Sequence, residues 1–326
     1  MCLYKLKITK ECILKHKSIY KYSFIIIGLI ALLYTVLRVT AEITVSKPDA
    51  VGEFFVHEGK NVHYRCTGEG PNIVIFETGF GSDSLNTWGA ISEQVSDRAK
   101  SCWYDRLGYG WSDDFGVSFS LQQKAQVLSE LIELVSEGKP VVLVAHSYGG
   151  VIARRAISDY SIPIKTLILV DSAHENQHAM LGELLPPIPQ SVARATYLDA
   201  LFGLSKIKNM FNRERSDEQD RVRDYFASKK YSNVLSNYVE LGGFFTPLKN
   251  SNIDLNDVEL VVLEHDPQSY PATERWEQAN RIWHKLQSEL AALSTNSIFA
   301  TVPKASHNIP QDNPEYLVNQ ILNAVE

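Results

Sequence analysis

Residues 141–156 constrain the fold more tightly than any other stretch of the chain. Val-Val-Leu-Val-Ala over 141–145 is followed by His146-Ser147-Tyr148-Gly149-Gly150, and then by Val-Ile-Ala-Arg-Arg-Ala over 151–156. A run that is apolar at every position suits a strand buried on both faces. The residues after the turn read as a helix, so the segment demands a parallel sheet with helices packed on it. A sharp strand-to-helix turn lifts Ser147 Oγ clear of the sheet, in the manner of a G-x-S-x-G motif. Small residues two positions to either side, Ala145 and Gly149, let the turn pack closely; Ala145 is a mild departure from glycine. The helix N-terminus beneath the serine favours developing negative charge.

The same pattern extends along the chain. Apolar, β-branched runs recur at 72–77, 141–145, 165–170, 259–264 and 297–302. Their alternation with helical segments predicts a mostly parallel sheet covered on both faces, from about residue 53 to the end. Ser120 and Gln123 form a capping box ahead of an apolar stripe of Leu121, Ala125, Leu128, Leu131, Ile132 and Val135; Gly138 and Pro140 end that helix. A last helix starts at Asn313-Pro314-Glu315, with Leu317, Val318, Ile321 and Leu322 facing inward. Residues 173–255 break the rhythm with a charged run from Arg213 to Arg223 and scattered aromatics (Tyr197, Phe202, Phe211, Phe226), which reads as a helical cap beside the site.

A serine hydroxyl is a weak nucleophile without a base. His307 follows the last strand and precedes the last helix, on the same carboxyl edge of the sheet as Ser147. His146 leaves the turn in another direction and is assigned to structure; His174, His178 and His265 lie near strand ends with no role assigned. The group that orients the imidazole must be an acid. Asp171, ending one strand, and Asp266, following the next, both satisfy the order Ser, Asp, His. Two backbone N–H groups are needed for the oxyanion. Tyr148 supplies one candidate, and Phe80, in the loop Glu77-Thr-Gly-Phe-Gly-Ser82, the other. No cofactor or metal is expected, and the four cysteines fit no metal spacing.

The N-terminus is a different kind of sequence. Lys5, Lys7, Lys10, Lys15, Lys17 and Lys21 precede an apolar run over 22–37 that is closed by Arg38. As a helix the run spans roughly 24 Å, at the short end for a bilayer. Tyr20, Tyr22 and Tyr34 suit the interfaces, and the lysine-rich flank predicts a cytoplasmic N-terminus with the remainder outside. The expected organisation is a basic segment over 1–21, an anchor in the lipid bilayer over 22–40, a linker over 41–52 and a domain over 53–326. Val39-Thr40-Ala41 offers the alternative of a cleaved signal and a secreted domain. A net charge of −6 over 326 residues gives no electrostatic case for nucleic acid as a partner.

Taken in order, Glu77-Thr-Gly-Phe-Gly81, Tyr104-Asp-Arg-Leu-Gly-Tyr-Gly-Trp-Ser112, 144–150, Leu169-Val-Asp-Ser-Ala-His174 and Ser306-His-Asn-Ile-Pro310 resemble the α/β-hydrolase superfamily over residues 53–326. The resemblance implies about eight strands, a cap after the sixth, and an acid after either the sixth or the seventh. The gap from Asp266 to His307 is longer than it implies, which favours Asp171 and leaves Asp266 as the alternative. The Tyr104–Ser112 stretch is assigned to structure, with Gly108 and Gly110 serving backbone geometry. The implied topology makes the second and fourth strands neighbours, so that Cys66 and Cys102 can form a disulfide or stand as buried thiols.

The expected activity is that of a serine hydrolase, which cleaves an ester or related acyl bond in a small molecule through an acyl-enzyme; the aromatics of the cap suggest an apolar acyl group. Serine in place of aspartate at the elbow disfavours dehalogenase and epoxide-hydrolase chemistry. A catalytically silent ligand-binding or signalling module is the alternative.

Overall fold

The structure is a computed structural model that describes residues 2–44, 48–81, 83–114, 119–185, 255–256 and 258–326, with isolated positions between 191 and 208. The apolar runs are strands. β1 (Glu53–His57), β2 (Lys60–Thr67), β3 (Ile73–Glu77), β4 (Lys100–Tyr104), β5 (Val141–His146), β6 (Ile164–Val170), β7 (Glu259–Glu264) and β8 (Ser297–Thr301) form one eight-stranded sheet in the order β1-β2-β4-β3-β5-β6-β7-β8. β1 pairs antiparallel with β2, and β2 with β4; every other pairing is parallel. β3 and β5 are buried at every position, as helix cover on both faces requires.

Helices α2 (Ser84–Val95), α3 (Leu121–Ser136), α4 (Tyr148–Asp159), α5 (Gln177–Leu181), α6 (Glu274–Ala291), α7 (Ile309–Asp312) and α8 (Pro314–Val325) follow α1 (Cys2–Thr44). α3 begins with the expected capping box, in which Ser120 and Gln123 satisfy each other's backbone N–H. It ends at Glu137 in a left-handed conformation followed by Gly138. α2 escapes the pattern reading because its inward face mixes Ser84, Thr87 and Ser92 with Trp88 and Ile91, which blurs the apolar stripe. Among the described residues, a large core cluster runs through β2–β7, α3 and α4.

Cys66 and Cys102 are register partners on β2 and β4, with Cα atoms 4.1 Å apart, and are joined by a disulfide. This separation is close to that of a non-hydrogen-bonded antiparallel pair.

α1 is longer than the apolar run at both ends: the helix also includes the lysine-rich residues and 41–44. Lysine is a good helix former, so the charge change at residue 22 gives no reason for a break. Within α1, the 22-residue span Tyr20–Ala41 contains an 18-residue stretch with a mean hydropathy of 2.2. The span is roughly 33 Å of helix, enough to cross a hydrocarbon core. The segment is a candidate membrane anchor or signal sequence.

Most of the expected cap over 173–255 lies outside the described residues, including Tyr197, Phe211, Phe226 and the run from Arg213 to Arg223. The part that is described, up to residue 185, packs Leu181, Leu184 and Leu185 on Ala279, Trp283 and Leu286 of α6.

Candidate active site

Ser147 joins β5 to α4 with φ 52° and ψ −121°, a conformation that L-residues rarely adopt. Close packing on both sides holds it there. A Cβ on Gly149 would lie 2.7 Å from Glu77 O, and one on Gly150 would lie 2.0 Å from Ser172 Oγ. Ala145, in contrast, is accommodated fully buried within β5.

The three parallel strands β5, β6 and β7 end on one edge, which brings together residues far apart in sequence. His307, in the loop after β8, points Nε2 at Ser147 Oγ (2.9 Å) and Nδ1 at Asp171 Oδ2 (2.6 Å). Its backbone is held on two sides. The main-chain N–H donates to Tyr270 Oη at 2.9 Å, and the main-chain oxygen accepts from His146 Nε2 at 2.8 Å. Tyr270 is correspondingly shielded, and burial pushes its phenol up to about 12. His146 is neutral: burial, then the neighbouring His307, pull it down to about 4, and its Nδ1 has no hydrogen-bond partner. The residue assigned to structure from sequence thus supports the loop that carries His307.

Asp171 is fully buried and also has positive φ, 41°. Burial alone would raise its carboxyl. The hydrogen bonds from His265 and His307, and their charges, outweigh burial and hold it well below the usual carboxylate range. Its donors are His307 Nδ1, His265 Nδ1 (2.9 Å to Oδ2), the His265 main-chain N–H (3.0 Å) and Trp283 Nε1 (2.8 Å). Asp266 has different work. Oδ1 accepts from the Gln268 N–H and Oδ2 from the Lys304 N–H, both at 2.9 Å, so it ties loop backbone together. The structure brings Asp171 to His307 and leaves Asp266 elsewhere.

The loop after β3 lies against the elbow: a Cβ on Gly79 would be 3.2 Å from Ser147 Cβ and 2.9 Å from His146 Nδ1. Phe80 and Tyr148, which carry the two candidate oxyanion N–H groups, approach with their rings edge to face at 6.4 Å. Arg106 clasps this loop from beneath. Its guanidinium donates to Glu77 and to the main-chain oxygens of Thr78 and Gly79, the last at 2.7 Å. Glu77 also accepts from Tyr104 Oη, and burial raises its carboxyl against the opposing pull of Arg106. Sequence reasoning assigned 104–112 to backbone geometry, which Gly110 and Asp105 bear out. A Cβ on Gly110 would overlap Asp105, whose carboxylate accepts from His63 Nδ1 and the Trp111 N–H. It did not find the clasp by Arg106, because the partners lie 27 and 28 residues away.

Among the described residues, no group of three or more His, Cys, Asp or Glu side chains is placed to hold a metal ion. What the edge does hold is a hydroxyl in contact with an imidazole, which is itself in contact with a buried carboxylate. Such a set can remove a proton from the serine and return it to a leaving group.

Comparison with known proteins places the chain. An uncharacterized protein of Bacillus subtilis, YqjL, is 24% identical over 242 residues, or 74% of this chain and 78% of that protein. Two solved structures share the fold. A probable hydrolytic enzyme from Pseudomonas aeruginosa matches with a TM-score of 0.62 at 17% identity, over 85% of this chain and 96% of that one. An esterase from Exiguobacterium antarcticum matches with a TM-score of 0.58 at 14% identity, over 84% and 99%. The model of the alpha/beta hydrolase family matches residues 75–320, which include Ser147, Asp171 and His307, and the chain belongs to that family.

Proposed function

We propose that this protein is a serine hydrolase that cleaves a carboxylic ester or a related acyl bond. The observation that carries the proposal is the 2.9 Å contact between Ser147 Oγ and His307 Nε2, backed by the Asp171 carboxylate on Nδ1. His307 takes the proton as Ser147 Oγ attacks the acyl carbon, and the tetrahedral oxyanion is held by the N–H groups of Phe80 and Tyr148. The imidazolium then protonates the leaving alcohol, leaving an acyl-enzyme. Water deprotonated by His307 attacks that ester, releases the acid and restores Ser147. Asp171 stays ionised, because its hydrogen bonds favour the carboxylate. Trp283 meets the His307 ring edge to face at 6.0 Å, and Phe80 packs on Tyr148 beside the elbow; this aromatic surface supports an apolar acyl group. α1 anchors the enzyme in the bilayer through Tyr20–Ala41, with the basic end cytoplasmic and the hydrolase domain on the other side. The esterase of the same fold is consistent with this substrate class.

A fluorophosphonate probe and a series of p-nitrophenyl esters of graded chain length test the reading. Ser147 should be the labelled residue, labelling should vanish in Ser147→Ala, and turnover should favour one acyl length. Labelling without turnover of any ester would instead indicate a binding module that retains the pocket. Absence of labelling at Ser147 would remove the serine mechanism altogether.

A further inference from the structure

Asp171 serves two imidazoles. His265 Nδ1 lies 2.9 Å from Oδ2 and 3.1 Å from Oδ1 of the carboxylate that also receives His307. The other ring nitrogen, Nε2, faces Asn280 Oδ1 at 3.2 Å. The Asn280 amide is oriented by its own donor, because Nδ2 donates to Pro267 O at 3.3 Å; the flipped amide would set two oxygens against each other. A carboxylate and an amide oxygen can only accept, so both nitrogens of His265 must carry protons. The ring is buried, stacked on Trp283 at 5.9 Å and tilted against Tyr270 at 4.7 Å.

We propose that His265 is a positioning residue held as an imidazolium, and that its charge on Asp171 sets how acidic the medium can become before His307 stops acting as base. This rests on the Ser147–His307 mechanism proposed above. An ionised Asp171 alone would attract a proton to His307 strongly. With His265 already charged on the same carboxylate, the net field at His307 is smaller, and His307 stays free to accept the serine proton at lower pH. Burial works against charge on His265, but the hydrogen bond and charge of Asp171 prevail and keep it above the usual imidazole value. The remaining charged or titratable groups around His265 do not replace Asp171. Glu264, next in the chain and bonded to His284 and Thr301, adds a smaller pull in the same direction, and Asp266 is held by the Gln268 and Lys304 N–H groups. Tyr270 is pushed up to about 12 and stays neutral, and Glu277, Arg281 and His284 line a cavity together with Asn280 and Tyr270.

The test is the pH dependence of the fluorophosphonate labelling rate of Ser147 in the full-length protein in detergent micelles. His265→Gln should move the midpoint of the acid limb up by about half to one pH unit, in addition to any fall in the alkaline plateau. Asn280→Leu removes the acceptor that keeps Nε2 protonated, and should move the midpoint the same way by less. It leaves the Asp171 contacts in place should the His265 variant fold poorly. A lowered plateau with an unmoved midpoint in either folded variant means that His265 is only structural, and overturns the proposal. A wild-type protein that does not label at Ser147 instead overturns the mechanism beneath it.

Discussion

The indole N–H of Trp283 meets Oδ1 of Asp171 at 2.8 Å, on the carboxylate whose Oδ2 faces His307. α6 therefore fixes the rotation of an acid 112 residues away in sequence. Without that donor the buried carboxylate keeps the hydrogen bonds of His265 and His307 but loses one to a charged group, at a cost of about 1.5–3 kcal/mol. Trp283→Phe should lower unfolding free energy by that amount. It should also slow ester turnover roughly tenfold to a hundredfold, because Oδ2 loses its fixed direction. An unchanged urea midpoint would show that the contact contributes nothing.

Asp171 and Asp266 can be told apart by substitution and by pH. Asp171 is held well below the ordinary carboxylate range, so the folded chain binds its proton less readily than the unfolded chain. The stability it contributes is complete above about pH 4, the unfolded value, and is lost as pH falls from there toward the folded value. In Asp171→Asn the decline of stability below pH 4 should flatten, and kcat should fall by about 10⁴. Asp266→Asn should cost only about 1 kcal/mol and leave turnover within a few-fold, because its oxygens hold loop backbone. The reverse ranking in kcat would move the acid to Asp266.

Much of this was legible in the sequence, and the boundary of legibility is physical. The strands around Ser147 announce themselves because burial on both faces demands unbroken apolarity, and α3 because its capping box is local. Ser147 and His307 could be placed on one edge from the order of elements alone. Asp171 and Asp266 are not separated by their own surroundings in the sequence, since both end neighbouring parallel strands; only the long gap from Asp266 to His307 favours Asp171. His265 and Arg106 escaped for a further reason: their importance lies wholly in contacts with residues on other strands, which periodicity does not encode.

Arg106 and Glu77 form a buried ion pair that also carries the loop beside Ser147. Breaking one side should be worse than breaking both. Arg106→Met leaves an uncompensated buried carboxyl and should cost about 3–5 kcal/mol. Adding Glu77→Gln should recover part of that loss in thermal melts. The labelling rate of Ser147 should remain depressed in the double variant, because the Thr78 and Gly79 oxygens are still unclasped. Additive losses in the melts would argue against the pairing.

The elbow tolerates a methyl group at 145 and should refuse one at 150. Gly150→Ala puts a Cβ 2.0 Å from Ser172 Oγ, so either α4 or the segment after β6 must shift. Overpacking of this kind costs about 1–3 kcal/mol. Since Asp171 adjoins Ser172, a melting temperature lowered by several degrees should come with reduced labelling. A fully active, equally stable variant would mean that the contact relaxes freely.

The Cys66–Cys102 bond and the direction of α1 can be tested together, because each constrains the other. A disulfide persists where the surroundings are oxidising, and the lysine-rich flank assigns the cytoplasm to the opposite end of the chain. In intact cells a membrane-impermeant protease should therefore reach the hydrolase domain and spare an N-terminal tag. A maleimide mass tag applied after denaturation should add to Cys66 and Cys102 only once the protein has been reduced. The bond closes a loop with a sequence separation of 36. On the chain-entropy account that is worth about 4 kcal/mol, of which Cys66→Ala with Cys102→Ala should forfeit a large part. A protected domain with both thiols free would reverse the topology. A domain released into the medium without its N-terminal tag would instead make the apolar segment a cleaved signal, with the disulfide intact in either case.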